Sequence, residues 1–184
     1  MIQSKAELKQ YIDADKKVNG MSHEWLKRLT WNDSYRVHEH IYLLRKLEYY
    51  TNCPKWYNVH LKLYYQYRYR KSQIKTGMVI FPNTMGAGLQ LMHPGFRRVG
   101  RMVKAGKNCT LLPMVLFGRK RPTDIDSEII IGDNCYISTG VTILGPVKIG
   151  NNVIIGAGAV VVNDIPDNCV VGGVPAKIIK IIEK

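Results

Sequence analysis

Written in sixes from Ile131, the chain reads IGDNCY, ISTGVT, ILGPVK, IGNNVI, IGAGAV, VVNDI. The first position of each block is apolar: Ile131, Ile137, Ile143, Ile149, Ile155 and Val161. So is the fifth: Cys135, Val141, Val147, Val153, Ala159 and Ile165. Apolar types make up 46% of the chain. At a fixed phase, such a run would arise by chance roughly once in ten thousand trials, and a hexapeptide period is a solenoid signature. An α-helix would want apolar residues at i, i+3, i+4 and i+7, and strict alternation gives no clean six. The pattern predicts a short flat strand and a turn, repeated. The first residue points into a narrow prism, the fifth fills its corner, and Gly or Asn makes the turns. Three blocks close one triangular coil, and stacked coils share one continuous core. The expected fold is mainly β: a left-handed parallel β-helix of about five coils preceded by an α-helical N-terminal region.

The phase continues upstream. VGRMVK, AGKNCT and LLPMVL keep it, with Val103, Cys109 and Val115 at the corner and Val99 and Ala105 at the inward position. One further step back lands on His93. After Phe117-Gly118 the register breaks at RKRPTDIDSE and resumes at Ile129, so 118–128 reads as a loop extruded from one coil. A polar loop of that kind is where a solenoid places function. Asp167-Asn168 and Gly172-Gly173-Val174-Pro175 close the prism, and Ala176–Lys184 leads away as a strand or short helix.

Residues 1–74 contain no hexads and form the helical region, with 75–184 as the β-helix domain. Ser4 followed by Glu7 is a capping box for a short helix to about Asp13. Asn19-Gly20 breaks the chain, and Ser22, Trp25, Leu26 and Leu29 suggest a second short helix. Residues 34–50 put Val37, Ile41, Leu44 and Leu47 on one face, flanked by Tyr42 and Tyr49. Asn52 and Pro54 end that helix, and Lys55–Lys71 begins another rich in Tyr and Arg. Its stretch LKLYYQYRYRK suits a peripheral membrane-surface or acidic-polymer contact. The plainer reading packs its Tyr faces on the first coil and leaves Arg and Lys in solvent.

Charge narrows the partners. The chain holds 27 Lys and Arg against 14 Asp and Glu, a net +13, much of it in 55–71, 97–107 and 119–121. That balance asks for an anionic partner: nucleic acid, a membrane surface, or the phosphates of a small ligand. No nucleic-acid recognition motif is present, so nucleic acid is not the expected partner. The four Cys, at 53, 109, 135 and 169, form no CxxC pair, and Cys109 and Cys135 fall at corner positions as small core residues. A metal is not expected, because the β-helix half has one histidine and a site needs a cluster of ligands. The start MIQSKAELKQ is polar and no apolar run approaches the ~20 residues of a span, so a cytoplasmic location is expected.

That one histidine is His93, just before Pro94-Gly95; His23, His38, His40 and His60 lie in the helical half. Taken alone, it reads as structural or as catalytic. GLQLMHPG, the unbroken hexads, IGAGAVVV and GGVPAK, across about 75–180, resemble the hexapeptide-repeat acyltransferases, specifically the serine acetyltransferase-like branch. The helical half, with LLRKLEYYTN and its Tyr-rich stretch, is similar to the subset found with capsular and exopolysaccharide synthesis. The resemblance implies that His93 is the catalytic base and acetyl-CoA the acyl donor, lying in a groove between two prisms of a homotrimer. Ser138, Gly156, Ala157, Gly158 and Ala176 would then line the cofactor, with Lys177 and Arg119 meeting its phosphates. The chemistry suits those residue types. A neutral imidazole takes the proton of an acceptor hydroxyl, which attacks the thioester directly, and a positioned N–H meets the oxyanion.

Departures from that branch bear on the acceptor. The branch carries an Asp upstream of its histidine, where this chain has Val79. Its extruded loop holds an Asp-Arg-His run, whereas this loop has Asp124-Ile125-Asp126 and no cation to hold a carboxylate. Asp124 and Asp126 suit hydrogen bonds to sugar hydroxyls or an amine, or simply a solvated loop. Arg97 occupies a corner that is normally small and apolar, so either the first coil is irregular or the guanidinium enters the site to bind substrate. The expected activity is acetyl transfer to a sugar hydroxyl of a polysaccharide or its precursor. A small acceptor such as serine, and a non-catalytic scaffold, are the alternatives.

Overall fold

The computed structural model describes residues 1–20, 33–124 and 126–182. From Met78 onward the chain winds through three sheets in rotation. The first sheet stacks β1 (Met78–Ile80), β3 (Arg97–Val99), β6 (Leu116–Arg119), β9 (Thr142–Gly145) and β12 (Val160–Val161). The second stacks β4 (Val103–Ala105), β7 (Ile129–Ile131) and β10 (Val147–Ile149), and is extended by single bridges from Met85 to Ala105 and from Ile149 to Ile165. The third stacks β2 (Gln90–Leu91), β5 (Thr110–Leu111), β8 (Tyr136–Ile137), β11 (Ile154–Ile155) and β13 (Cys169–Gly172). Every pairing in this stack is parallel, and β14 (Lys177–Ile181) folds back antiparallel on β13 as a closing strand. One pass through the three sheets is one coil, and the five strands of the first sheet mark five coils.

All twelve hexad positions lie inside the prism, none more than 7% exposed. Val99, Val103, Cys109, Leu111, Val115 and Phe117 continue that core upstream. Each buried Val or Ile contributes about 1.5–3 kcal/mol, so the regular spacing is what holds the coils together. One row of turns is made by Asn108, Asn134, Asn152 and Asn168, all at φ between 55 and 57. Asn tolerates this left-handed conformation because its short amide bonds locally. Here each amide donates to the next, at 3.1, 3.1 and 2.8 Å. Gly88 tops the column, where a Cβ would lie 2.2 Å from the Asn108 Oδ1.

The helices sit on the first coil. In α1 (Lys5–Val18) Ser4 Oγ accepts from the Glu7 N–H at 3.1 Å, and Glu7 accepts in turn from the Gln3 N–H at 2.6 Å. The helix runs past the expected end near Asp13 because its last turn is anchored. The buried Asp15 carboxylate accepts from the Gly88 and Leu89 N–H groups, both at 2.8 Å, and pairs with Arg45 Nε at 2.8 Å. Arg45 also reaches Glu48 at 3.0 Å and the carbonyls of Met85 and Gly86. Burial alone would lower the Arg45 pKa, but Glu48 and Asp15 more than offset it and keep the cation charged.

Helix α2 (Asp33–Asn52) buries Val37, Ile41, Leu44 and Leu47, the face its periodicity predicts. After a short 3₁₀ turn at Trp56–Asn58, α3 (Val59–Thr76) runs beyond Lys71 and stops at Gly77, which has φ 70. Only part of its Tyr set packs as the plainer reading expects: Tyr69 is buried and Tyr65 half-buried, while Tyr64 and Tyr67 face solvent. The helix suggested by Ser22, Trp25, Leu26 and Leu29 lies outside the described residues. Among the described residues no helix is long and apolar enough to cross a membrane.

Candidate active site

Between the third sheet and the first, every coil turns through one edge of the prism. His93-Pro94-Gly95 makes the first of these turns, Leu112-Pro113-Met114 the second, Ser138-Thr139-Gly140 the third and Gly156-Ala157-Gly158 the fourth. They stack directly. A Cβ on Gly95 would lie 3.3 Å from Pro113, and Thr139 Oγ1 and the Gly140 N–H both donate to the Pro113 carbonyl. The Gly158 N–H donates to the Thr139 carbonyl at 2.9 Å. Beyond β13 the chain returns to the same edge, where the Ala176 N–H donates to Val160 O at 2.8 Å. Coils repeat every ~4.8 Å, so His93 stands about 14 Å along the edge from the Gly156–Gly158 turn.

This one edge therefore carries His93, Ser138, Gly156, Ala157, Gly158 and Ala176, residues scattered over more than eighty positions of sequence. Lys177 follows at the exposed start of β14. Arg119 does not join them. It ends β6 at the opposite edge of the first sheet, and Asp124 and Asp126 lie in the loop that leaves from there. Within one chain the width of that sheet separates them from His93. Asp124 is also occupied, since its Oδ2 accepts from the Arg121 N–H at 3.0 Å and closes the loop's own turn. Asp126 is exposed.

His93 is turned outward rather than filling the inward hexad position its phase assigns it. It has φ 59, and Leu91 takes the interior instead. The cause is Arg97. Its side chain is fully buried inside the prism, where Nη2 donates to the Met92 and His93 carbonyls at 2.7 and 3.0 Å. Nε donates to the Leu112 carbonyl at 3.2 Å, and Nη1 lies 2.8 Å from the Met78 sulfur. Two successive carbonyls drawn to one guanidinium force a left-handed bend between them, and that bend swings the imidazole into solvent. The expectation that Arg97 binds substrate gives way for this reason: a fully buried guanidinium reaches no ligand. Burial lowers its pKa to about 10, so it is a cation at neutral pH held by carbonyl dipoles.

A second buried group supports the turn from below. Tyr69 spends its only proton on the Ile80 carbonyl at 2.7 Å. His40 Nε2, 3.2 Å from the same hydroxyl, must therefore carry a proton and donate it, leaving Nδ1 to accept from Ser72 Oγ at 2.9 Å. Desolvation first, and then the Arg97 charge, hold the His40 pKa down to about 3. The neutral network ties α2 and α3 to β1. The end of α3 then meets the His93 turn, with the Gly95 N–H donating to Thr76 O at 3.0 Å and the Arg97 N–H to Gly77 O at 3.4 Å. The sequence signal for Arg97 was its misfit at a corner position, but His40 gave none, because its partners lie on other elements.

Around the edge, Met92, Phe96, Met114 and Leu116 are exposed apolar side chains. Val79 pairs in register with Arg98 on the outer face of the first sheet. Among the described residues no group of three or more His, Cys, Asp or Glu could hold a metal ion.

Comparison with known proteins agrees with this architecture. Residues 128–163 match the bacterial transferase hexapeptide model of six repeats. A serine acetyltransferase of Synechococcus elongatus is 31% identical over 109 residues, covering 59% of this chain and 45% of that protein. A galactoside O-acetyltransferase of Lactococcus lactis is 38% identical over 84 residues, covering 44% and 41%. The chain thus spans less than half the length of these relatives. The crystal structure of Neisseria gonorrhoeae serine acetyltransferase superposes with a TM-score of 0.71 at 27% identity, covering 97% of this chain and 68% of that one. In repeat and sequence the chain is similar to the hexapeptide-repeat acyltransferases, and its left-handed β-helix is serine acetyltransferase-like in fold.

Proposed function

We propose that this chain is an acetyl-CoA-dependent O-acetyltransferase in which His93 is the general base. The observation that carries the reading is the outward His93 on the same edge as the Gly156–Gly158 turn and Ala176. The imidazole accepts the proton of an acceptor hydroxyl as the oxygen attacks the thioester carbonyl. The tetrahedral oxyanion collapses, the C–S bond breaks, and the CoA thiolate leaves with a proton returned from the imidazolium. No enzyme nucleophile is needed. Small residues at 156–158 and 176 leave room for a pantetheine arm to lie against the backbone, and Lys177 offers a charge for a phosphate. The exposed Met92, Phe96, Met114 and Leu116 favour packing of this edge against a neighbouring prism in a homotrimer. That assembly would bring the Arg119, Asp124 and Asp126 loop of a neighbour toward the groove.

Serine, or another small hydroxy compound, is the acceptor the relatives favour, since serine acetyltransferases recur among them. A sugar hydroxyl is the second reading. It rests on Val79 in place of a carboxylate, on a loop whose Asp124 is spent internally, and on the galactoside O-acetyltransferase match. Release of free thiol from acetyl-CoA, measured with L-serine, galactosides and nucleotide sugars in parallel, tests both. Serine-dependent release supports the first reading and galactoside-dependent release the second. Acetyl-CoA that neither binds nor turns over with any acceptor contradicts the proposal.

A further inference from the structure

The helix that packs beneath the His93 turn presents an unusual outer face. Val59, Leu63, Tyr67 and Ile74, spaced to form one stripe, are each more than half exposed. Trp56 and Tyr57 extend the stripe at its N-terminal end, and Trp56 is 89% exposed. No Asp or Glu occurs anywhere between Lys55 and Thr76. Arg68 is paired with Glu39, but Lys62, Arg70 and Lys71 flank the stripe with no carboxylate partner among the described residues. Lys71 instead rides over the Tyr67 ring, 4.9 Å from its centroid. Beside the stripe a cleft of about 450 Å³ is lined by Lys62, Arg70 and Arg101 together with Gln66 and Gln73, and among the described residues no acidic side chain lines it.

We infer that α3 docks flat on an anionic lipid bilayer, with the stripe in the headgroup boundary and the cations on lipid phosphates. Exposed aliphatic and aromatic side chains flanked by Lys and Arg are what an interfacial helix uses, and Trp and Tyr settle at headgroup depth. Charge decides against a second copy of this chain as occupant. Two such faces pressed together would oppose Lys62, Arg70 and Lys71 to their own duplicates, in a protein already at +13. A phosphate-bearing surface instead complements both the stripe and the cleft. Docking would hold the His93 edge near the membrane plane, since Gly95 bonds directly to the last turn of this helix.

Co-sedimentation of the full chain with vesicles tests the inference. The vesicles are phosphatidylcholine alone or with about a third phosphatidylglycerol, and the anionic lipid should raise binding at least about tenfold. Leu63→Glu with Ile74→Glu, and separately Lys62→Glu with Arg70→Glu, should each abolish most of that gain while leaving the circular dichroism spectrum unchanged. Binding that ignores lipid charge, or that survives both pairs of substitutions, overturns the inference. So does binding to soluble polyphosphate with none to vesicles. A light-scattering mass that falls when Leu63→Glu and Ile74→Glu are introduced, without vesicle binding in the wild type, assigns the face to self-association instead.

Discussion

Arg97 gives the sharpest prediction about how the site is held. His93 stands at φ 59, a conformation costing a non-glycine residue about 1–2 kcal/mol. The two bonds from Nη2 to the Met92 and His93 carbonyls oppose that cost, and hydrogen bonds to a charged group contribute about 1.5–3 kcal/mol each. Arg97→Met fills most of the volume but removes both bonds, so the turn loses its net bias toward the outward histidine. With both bonds gone the φ cost of about 1–2 kcal/mol stands unopposed, which lowers the competent population, and with it kcat, about 5–30-fold. The KM for acetyl-CoA should hardly change, because the Gly156–Gly158 turn is three coils away. Arg97→Lys keeps a cation able to reach one carbonyl and should recover part of the loss. In steady-state thiol-release assays, Arg97→Met added to His93→Ala should cost little more than His93→Ala alone. A well-folded Arg97→Met with wild-type kcat would refute the argument. So would losses that simply add in the double variant.

Two stability predictions follow from buried groups of the helical region. Asp15→Ala leaves Arg45 with Glu48 as its one carboxylate partner and strands the Gly88 and Leu89 N–H groups; breaking one side of a buried pair costs about 3–5 kcal/mol. Urea denaturation should register that loss, and a change below about 1 kcal/mol would mean the cluster is dispensable. His40 has a folded pKa of about 3 against an ordinary 6.5. Between those values the unfolded chain binds a proton that the folded chain refuses. Stability from this group is complete above pH 6.5 and is lost as pH falls toward 3, by up to about 1.4 kcal/mol per unit. His40→Gln should flatten that part of the stability profile, and an unchanged slope would contradict the assignment.

The solenoid was legible because its core repeats with the fold's own period. Every hexad position from Ile131 to Ile165 is buried where the pattern puts it, and Asn134 and Asn152 make turns of the kind expected. His93 was identifiable by motif but not by geometry: the phase sends it inward, and only the Arg97 carbonyl contacts show why it points out. Nothing in the local sequence reveals that Asp15 docks on Gly88 or that His40 faces Tyr69, because those partners lie far apart along the chain. The end of α1 was missed for the same reason. The outer face of α3 was legible only as a choice, since its Tyr, Arg and Lys suited either an interface or a solvated surface.

The central claim is that His93 takes the acceptor proton. It is tested most directly by thiol release from acetyl-CoA with the best acceptor, comparing wild type and His93→Ala at saturating donor. A general base contributes about 10²–10⁴-fold, so kcat should fall by at least about a hundredfold while equilibrium binding of acetyl-CoA stays unchanged. A His93→Ala protein that keeps wild-type turnover would remove His93 from the chemistry and with it this account of the edge.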